Sequence, residues 1–229
     1  MNELGEPGDA PEVGSVIAGL PVFPLPNVVF FPHMMLPLHV FEPRYRDLLR
    51  HVVAGDRRLG VALLRPGWEP DYYGAPRIHD MFCVGEVVGH EELADGRSNL
   101  LLRGLARVRV LEEEHTGLPF RTMRVRVEGA PPVGSGRDLL ARHLATVRQL
   151  FSSRGGAISR MGADDMDLLF SSELPPEIVL DAIAAANPAP SPRKQEVLEE
   201  TNLLRRAELV ASLLADLLSI APGDVADES

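Results

Sequence analysis

Residues 20–50 constrain the possible folds of this chain more than any other stretch. Their sequence is LPVFPLPNVVFFPHMMLPLHVFEPRYRDLLR: an apolar strand, a proline-interrupted run of methionine and aromatic residues, and a helix that starts at Pro43. Proline fixes φ and lacks an N–H donor, so it suits a first helical turn and interrupts regular structure elsewhere. Few soluble folds begin with this order of elements.

Length and composition exclude several classes of protein. With 229 residues and 45% hydrophobic content, the chain can bury the core of one large domain or two small ones. Its 33 acidic and 23 basic residues give a formal charge of −10, which disfavours binding to a phosphate backbone. Nucleic acid is therefore not an expected partner.

Neither a membrane span nor a signal peptide is expected. No apolar run approaches the roughly 18 to 20 residues that a transmembrane helix needs. Residues 1–14 are acidic and rich in Gly and Pro, without the basic and apolar regions of a signal peptide. A cytoplasmic location is the default expectation.

The first half of the chain has mostly the pattern of β-strands. In the last predicted strand, Met123, Val125 and Val127 alternate with charged residues, as expected when one face is buried. Asp95-Gly96, between two apolar runs, predicts a hairpin turn. The predicted strands are 16–25, 59–65, 80–93, 98–114 and 120–128.

One helix is predicted within this half and several after it. Apolar residues at helical spacing predict a helix over 43–54, with Gly55 as a left-handed stop. The sequence APPVGSG at 130–136 has the composition of a linker. Beyond it, periodicity predicts helices over 137–153, 175–186, 192–200 and 202–219, and a short one over 164–171.

These elements predict an α+β chain with four parts. Residues 1–15 form a disordered lead-in, 16–130 a domain built on a curled β-sheet, 131–220 a helical subdomain, and 221–229 an acidic tail.

Catalytic and metal-binding motifs do not fit this sequence. Lys194, the single lysine, lies in SPRKQEV at a predicted helix start, where a solvated amino group is expected. It completes neither a Walker A loop nor a plausible serine–lysine dyad. Cys83 lies in an apolar strand, and His143 on an apolar helical stripe is expected in the core. The seven histidines lack ligand spacing, so no metal, cofactor or enzymatic activity is expected.

Motifs along the whole chain resemble those of the Lon substrate-binding domain, the N-terminal domain of the ATP-dependent protease Lon. The opening FPL, FP, LPLH and FEPRYR read much like the signature of its free-standing bacterial versions. Gly85, Gly96 and Gly104 stand where the family commonly has glycine. Lys194-Gln195, Leu198-Glu199 and Arg205 or Arg206 are similar to the pattern of its helical half.

This resemblance implies a PUA-like β-barrel followed by a helical bundle. It also implies a recognition module without the ATPase and peptidase domains, since in Lon this domain helps engage protein substrates and aids assembly. PUA-like barrels elsewhere bind RNA, but the acidic balance of this chain argues against that role.

The run from Phe30 to Pro37 is the first candidate contact surface. Phe31, Met34 and Met35 lie in it, and methionine adapts to varied apolar shapes at promiscuous binding surfaces. The alternative is that these residues close the barrel core, because apolar side chains are usually inside.

The loop RPGWEPDYYGAPR at 65–77 is the second candidate. Trp68, Tyr72 and Tyr73 could anchor a bound protein, because large amphipathic rings bury much area while few rotatable bonds are fixed. A loop packed on itself is the competing interpretation.

The motif FEPRYR supplies the remaining candidates, Arg44 and Tyr45. Glu42 is favoured near a helix N-terminus by the helix dipole. Arg44 could pair with a carboxylate of a bound protein, but an ion pair within the domain is favoured over this.

The sequence thus supports a non-catalytic protein- or peptide-binding module, an adaptor or holdase in protein quality control. Its expected partners are unfolded or apolar protein segments and an ATP-dependent protease. The alternative hypothesis is a small-molecule or peptide sensor with a pocket between the two subdomains.

Overall fold

The computed structural model describes residues 9–153, 169 and 174–219. The chain divides into two compact units, Met1–Gly129 and Ala130–Ser229, called here the N-terminal and C-terminal units. Strands dominate the first and helices the second, which confirms the predicted α+β class. Within the described residues, no helix is long and apolar enough to span a bilayer.

The N-terminal unit contains six strands and one α-helix among its described residues. They are β1 Val16–Leu25, β2 Met35–Val40, α1 Pro43–Ala54, β3 Arg58–Leu63, β4 Met81–Glu92, β5 Ser98–Glu114 and β6 Thr122–Glu128. Five strands close a ring in the order β5-β4-β3-β1-β6, because β6 pairs with both β1 and β5. Only the β1–β3 pairing is parallel.

Strand β5 is long enough to pair with two different strands along the same edge. Its residues Ser98 to Arg103 pair with β2, and Arg107 to Glu114 pair with β6. In the described structure β2 is therefore an edge strand next to a closed ring. The predicted hairpin before β5 is confirmed: the Gly96 N–H donates to the Leu93 carbonyl at 2.9 Å, and Gly96 has φ of +78°.

Two apolar clusters stabilise the N-terminal unit. All five ring strands contribute to the first, through residues that include Leu20, Val22, Ala62, Phe82, Val84, Leu105, Val108, Met123, Val125 and Val127. The second lies beneath α1, whose residues Tyr45, Leu48, Leu49 and Val52 are buried at helical spacing. The sheet is thus packed on both faces.

The predicted bounds of α1 are confirmed, but its predicted termination is wrong. Gly55 has φ of −99°, outside the left-handed region, whereas Arg57 has φ of +61°. The Arg57 N–H donates to the Val52 carbonyl at 3.1 Å, and its Nε donates to the Val87 carbonyl at 2.8 Å. These two bonds hold a non-glycine residue in this conformation.

The strand β2 was not predicted, because three prolines flank or interrupt the sequence around it. Pro37 is accepted because β2 is an edge strand. The segment before it crosses two glycines that face each other across β4 and β5, Gly85 and Gly104. A Cβ on Gly104 would lie 2.2 Å from the Phe31 carbonyl oxygen, and one on Gly85 would lie 2.6 Å from the Phe30 ring. Only glycine permits this approach.

The C-terminal unit contains four α-helices within 137–153 and 174–219: α2 Arg137–Ser153, α3 Pro176–Ala186, α4 Ser191–Glu199 and α5 Leu203–Ser219. Each lies within one residue of its predicted bounds. The predicted helix over 164–171 falls largely outside the described residues. Helix α5 packs against α2, α3 and α4.

A buried ion pair joins α5 to α3. Arg206 Nη1 lies 3.4 Å from Asp181 Oδ1, and the two side chains are 2% and 1% exposed. The Arg206 Nε donates to the Glu200 carbonyl at 2.8 Å. Charged groups removed from water need such partners, so this pair fixes how α5 meets α3.

Two sequence-based expectations are corrected in this unit. Lys194 is half-buried rather than fully solvated: its amino group donates to the Ala185 carbonyl near the end of α3, at 3.0 Å. His143 is not a core residue: its side chain is 24% exposed, and Nε2 lies 3.5 Å from a Glu208 carboxylate oxygen on α5.

Replacement of Gly104 by alanine should destabilise the N-terminal unit. Because the added Cβ would meet a backbone oxygen rather than a flexible side chain, we expect a loss of about 3 kcal/mol in unfolding free energy. Urea denaturation followed by Trp68 fluorescence measures it. Gly89→Ala is the control, since its nearest contact, Leu101 Cβ, is 3.3 Å away. Equal stability of the two variants would contradict the steric account.

Replacement of Asp181 by alanine should destabilise the C-terminal unit. It leaves the buried Arg206 guanidinium without its carboxylate, which costs about 3–5 kcal/mol. Urea denaturation followed by far-ultraviolet circular dichroism tests this. The control is Asp216→Ala, whose side chain is 63% exposed and should cost about 0–1 kcal/mol. A loss for Asp181→Ala no larger than that of the control would show that the pair is not important for stability.

Candidate functional site

Alternate side chains of β2 and of the residue that follows it form an exposed row, called here the β2 outer row. Met35, Pro37, His39 and Phe41 are exposed, while Leu36, Leu38 and Val40 between them pack towards the core. Met35 is 50% and Phe41 58% exposed. Large apolar side chains aligned on one edge strand form a surface that another protein can cover.

The free edge of β2 is poorly suited to pairing with a further strand. The N–H of Gly104 in β5 donates to the Met34 carbonyl. Successive residues of a strand direct their N–H and C=O groups to opposite sides, so the even-numbered residues of β2 direct theirs towards β5. Pro37 therefore lies on the free edge, where it offers no N–H donor. The β2 outer row is consequently available through its side chains rather than by strand addition.

Immediately after the β2 outer row lies a cluster of aromatic and charged residues, called here the tyrosine–arginine cluster: Glu42, Arg44, Tyr45, Tyr72 and Tyr73. The Tyr72 hydroxyl donates to Glu42 Oε1 at 2.7 Å. The Arg44 guanidinium carbon lies 4.5, 5.0 and 5.9 Å from the ring centroids of Tyr45, Tyr72 and Tyr73. The cluster thereby fixes the loop after β3 to the start of α1.

Arg44 is already bound within this cluster. Its Nε donates to Glu42 Oε2 at 3.2 Å, and its Nη1 donates to the Tyr72 carbonyl at 3.0 Å. Nη2 is buried and has no hydrogen-bond acceptor among the described residues. The expected ion pair within the domain is confirmed, and these bonds engage Nε and Nη1 of the guanidinium.

Glu42 lies at the N-terminus of α1, as the sequence predicts, but its carboxylate is bonded to other side chains. It is the N-cap residue of α1, but its carboxylate makes no capping hydrogen bond to the helix amides. It accepts instead from Tyr72 and Arg44. Burial, together with the hydrogen bond to Glu42, raises the pKa of Tyr72, and burial raises the pKa of Tyr45 to about 12.

A cavity of about 410 Å³ lies beside this cluster, within the N-terminal unit. Four segments form its walls: Val22 and Pro24 of β1, Arg44 and Tyr45 of α1, Gly74 and Pro76 of the loop after β3, and residues 113–121. The Phe120 ring lies 5.4 Å from that of His51 on α1, between centroids. The cavity is therefore built by residues far apart in sequence.

Arg121 holds two walls of the cavity together. Its Nε and Nη2 each donate to a carboxylate oxygen of Glu113 at 2.7 Å, and its Nη1 donates to the Pro76 carbonyl at 2.7 Å. The hydrogen bond from Arg121 holds the pKa of Glu113 below its usual value of 4.5. A bidentate pair of this kind has fixed geometry, so the wall is rigid at this point.

Only some of the predicted contact residues lie on the surface. Phe31 and Tyr45 are buried, at 0% and 5% exposure, because they pack in the core of the unit. Met34 is partly buried against the cluster beneath α1. Trp68 and Tyr72 are partly buried against the first apolar cluster, the one formed by the five ring strands. Their aromatic rings lie 5.3 Å apart, between centroids. Met35 and Tyr73, at 50% and 87% exposure, remain accessible.

Phe41 is an exposed residue that the sequence analysis missed. A signal was present: Met35, Pro37, His39 and Phe41 recur with the period of two expected of a strand. The prolines concealed this period, because they led us to interpret the segment as irregular.

The described part of the chain contains no group of three or more His, Cys, Asp or Glu residues placed to hold a metal ion.

The Glu113–Arg121 pair predicts a pH-dependent stability. Because the folded-state pKa of Glu113 is lowered, its contribution is present above about pH 4.5 and is lost as pH falls through the folded-state pKa. Glu113→Gln should lower the melting temperature at neutral pH. It should also make the melting temperature decrease less between about pH 5 and pH 3 than it does in the parent protein. Thermal denaturation followed by Trp68 fluorescence measures both.

Glu112→Gln is the matched control, because that side chain is 60% exposed and lies 3.7 Å from Arg124. We expect it to follow the parent protein. Parallel pH profiles for the parent and Glu113→Gln would refute the assignment.

Known proteins with related sequences are Lon proteases. One relative is Lon protease 2 of Myxococcus xanthus, 31% identical over 196 residues that cover 85% of this chain. Another is the Lon protease of Escherichia coli strain K12, 26% identical over 207 residues, or 88% of this chain. The matched segments are 23% and 25% of those proteins, so this chain spans about a quarter of the length of these relatives.

Solved structures show the same fold. The N-terminal domain of a Mycobacterium avium complex Lon protease matches 86% of this chain and 98% of its own, with a TM-score of 0.66 at 15% identity. A Lon N-terminal domain protein from Xanthomonas campestris gives a TM-score of 0.52 at 22% identity over the same shares. The family model of the ATP-dependent protease La (LON) substrate-binding domain matches residues 19–216 of this chain. The chain therefore belongs to this LON substrate-binding domain family, as its sequence motifs predicted.

Proposed function

We propose that this chain is a non-catalytic protein-binding module that binds exposed apolar segments of other proteins through the β2 outer row. The main observation is the exposure of two large apolar side chains, Met35 in the edge strand β2 and Phe41 directly after it. Membership of a substrate-binding domain family supports a role in substrate recognition.

The chemistry of the β2 outer row supports binding of varied sequences. Methionine has three rotatable bonds and a polarisable sulfur, so Met35 can adapt to different apolar shapes. Phe41 presents a large ring beside His39, with centroids 6.4 Å apart. Pro37 limits the pairing of a bound strand with β2, so binding depends on burial of side chains. The β2 outer row can therefore bind segments of different sequence.

Tyr73 is a further contact residue in this proposal, and it is linked to Glu42 through Tyr72. Its ring is 87% exposed and meets the Tyr72 ring edge-on, with centroids 5.2 Å apart. Tyr72 is in turn hydrogen-bonded to Glu42, the residue after Phe41. Tyr73 thus packs against a side chain whose position is fixed, which lowers the conformational entropy that is lost when Tyr73 contacts a bound protein.

We further propose that the bound segments are those of unfolded proteins and that the chain acts as an adaptor or holdase. Its relatives are ATP-dependent proteases, of which the matching domain is about a quarter. An ATP-dependent protease is therefore the partner to test. Added to such a protease, the chain should change the degradation rate of an unfolded substrate if it is an adaptor.

The double variant Met35→Ser, Phe41→Ser should weaken binding of an unfolded protein. Partial burial of each parent side chain contributes about 1 kcal/mol, so we expect the dissociation constant to rise about tenfold or more. Fluorescence anisotropy with labelled, reduced and carboxymethylated α-lactalbumin measures it.

The matched control is Val16→Ser, Leu111→Ser, which removes two apolar side chains of 48% and 46% exposure outside the β2 outer row. It should bind as the parent does. Absence of binding by the parent, or equal loss in both double variants, would refute the proposal.

A further inference from the structure

The cavity beside the tyrosine–arginine cluster has the size of a ligand site. Its volume of about 410 Å³ lies within the range of about 300–1,000 Å³ found for small-molecule pockets. Since a water molecule occupies about 30 Å³ in the liquid, this space corresponds to on the order of ten waters. It is lined by residues 22–121 alone, so the N-terminal unit forms it without the C-terminal unit.

Three charged residues of the cavity wall, Arg44, Glu113 and Arg121, are already ion-paired, whereas Glu114 and His115 of the same wall make no ion pair within the described part of the chain. All three nitrogens of the Arg121 guanidinium donate, two to Glu113 and one to the Pro76 carbonyl. Arg44 is bonded to Glu42 and Tyr72. A Glu114 carboxylate oxygen accepts from the Gly19 N–H at 2.6 Å. A charged ligand would have to lose its hydration without gaining a free counter-charge from Arg44, Glu113 or Arg121, which is unfavourable.

The remaining wall favours flat, apolar groups. Tyr45 and Phe120 contribute aromatic rings, and Pro24, Pro76 and Pro119 contribute pyrrolidine rings. Aromatic groups gain favourable edge-on or offset contacts with such rings in addition to burying area. The wall is also held in place: Arg121 fixes the segment 113–121, and Arg44 fixes the start of α1.

From these observations we propose that the cavity binds an uncharged small molecule that carries an aromatic ring. The site is separate from the β2 outer row and does not depend on the function proposed for that row. Leu118, 39% exposed at the cavity wall, covers the bound ring.

Four probes of similar size test the proposal on the full chain labelled with ¹⁵N. They are 3-phenylpropanamide, its anionic analogue 3-phenylpropanoate, its cationic analogue 3-phenylpropylamine, and the ringless hexanamide. We expect 3-phenylpropanamide to shift the amide signals of Gly74, Gly117 and Arg121 saturably and to raise the melting temperature. The charged and ringless probes should bind about tenfold more weakly or worse.

Two matched variants locate the site. Leu118→Ala should raise the dissociation constant of 3-phenylpropanamide about threefold, since the ring loses apolar contact. Leu111→Ala, which removes a leucine of 46% exposure away from the cavity, should leave it unchanged.

Several results would overturn the proposal: no saturable shift with any probe, equal affinity for charged and neutral probes, or equal effects of the two leucine variants. Displacement of 3-phenylpropanamide by carboxymethylated α-lactalbumin would also overturn it, because the cavity would then belong to the protein-binding surface. If the cavity proposal fails, the parent protein should still bind carboxymethylated α-lactalbumin, and the double variant Met35→Ser, Phe41→Ser should still lose that binding. The two proposals can therefore fail separately.

Discussion

The close passage of Phe30 and Phe31 over the glycine pair Gly85 and Gly104 determines where the surfaces of the N-terminal unit lie. Without side chains at these two facing positions, the backbone of the segment descends onto β4 and β5. The turn that follows directs Met35 to Val40 along the edge of β5 as β2. The β2 outer row and the start of α1 follow directly from this placement.

Arginine fixes much of the remaining architecture. Arg44, Arg121 and Arg206 each bind a carboxylate and at least one backbone carbonyl, so each joins elements that are distant in sequence. A planar guanidinium with five donors suits this function better than a lysine amine does. These bonds neutralise charge inside the unit, and the accessible surfaces of the candidate site are consequently apolar.

Regular elements were predictable where one periodicity ran without interruption. The bounds of α1, α2 and β5 agree with the sequence pattern, and Asp95-Gly96 forms the predicted turn. Prediction failed at β2, where proline is acceptable only because the strand lies at an edge, and at Arg57, whose positive φ depends on bonds to Val52 and Val87. Both depend on partners that local sequence does not specify.

The sequence by itself determined the family and the α+β class, and it indicated candidate contact residues other than Phe41, because periodicity, turn chemistry and motif spacing are local properties. Only the tertiary structure decided which residues are accessible: it buried Phe31 and Tyr45, partly covered Trp68, and exposed Met35 and Phe41. It also assembled the cavity from four separate segments. Exposure and cavities arise from contacts between residues distant along the chain, which no local pattern records.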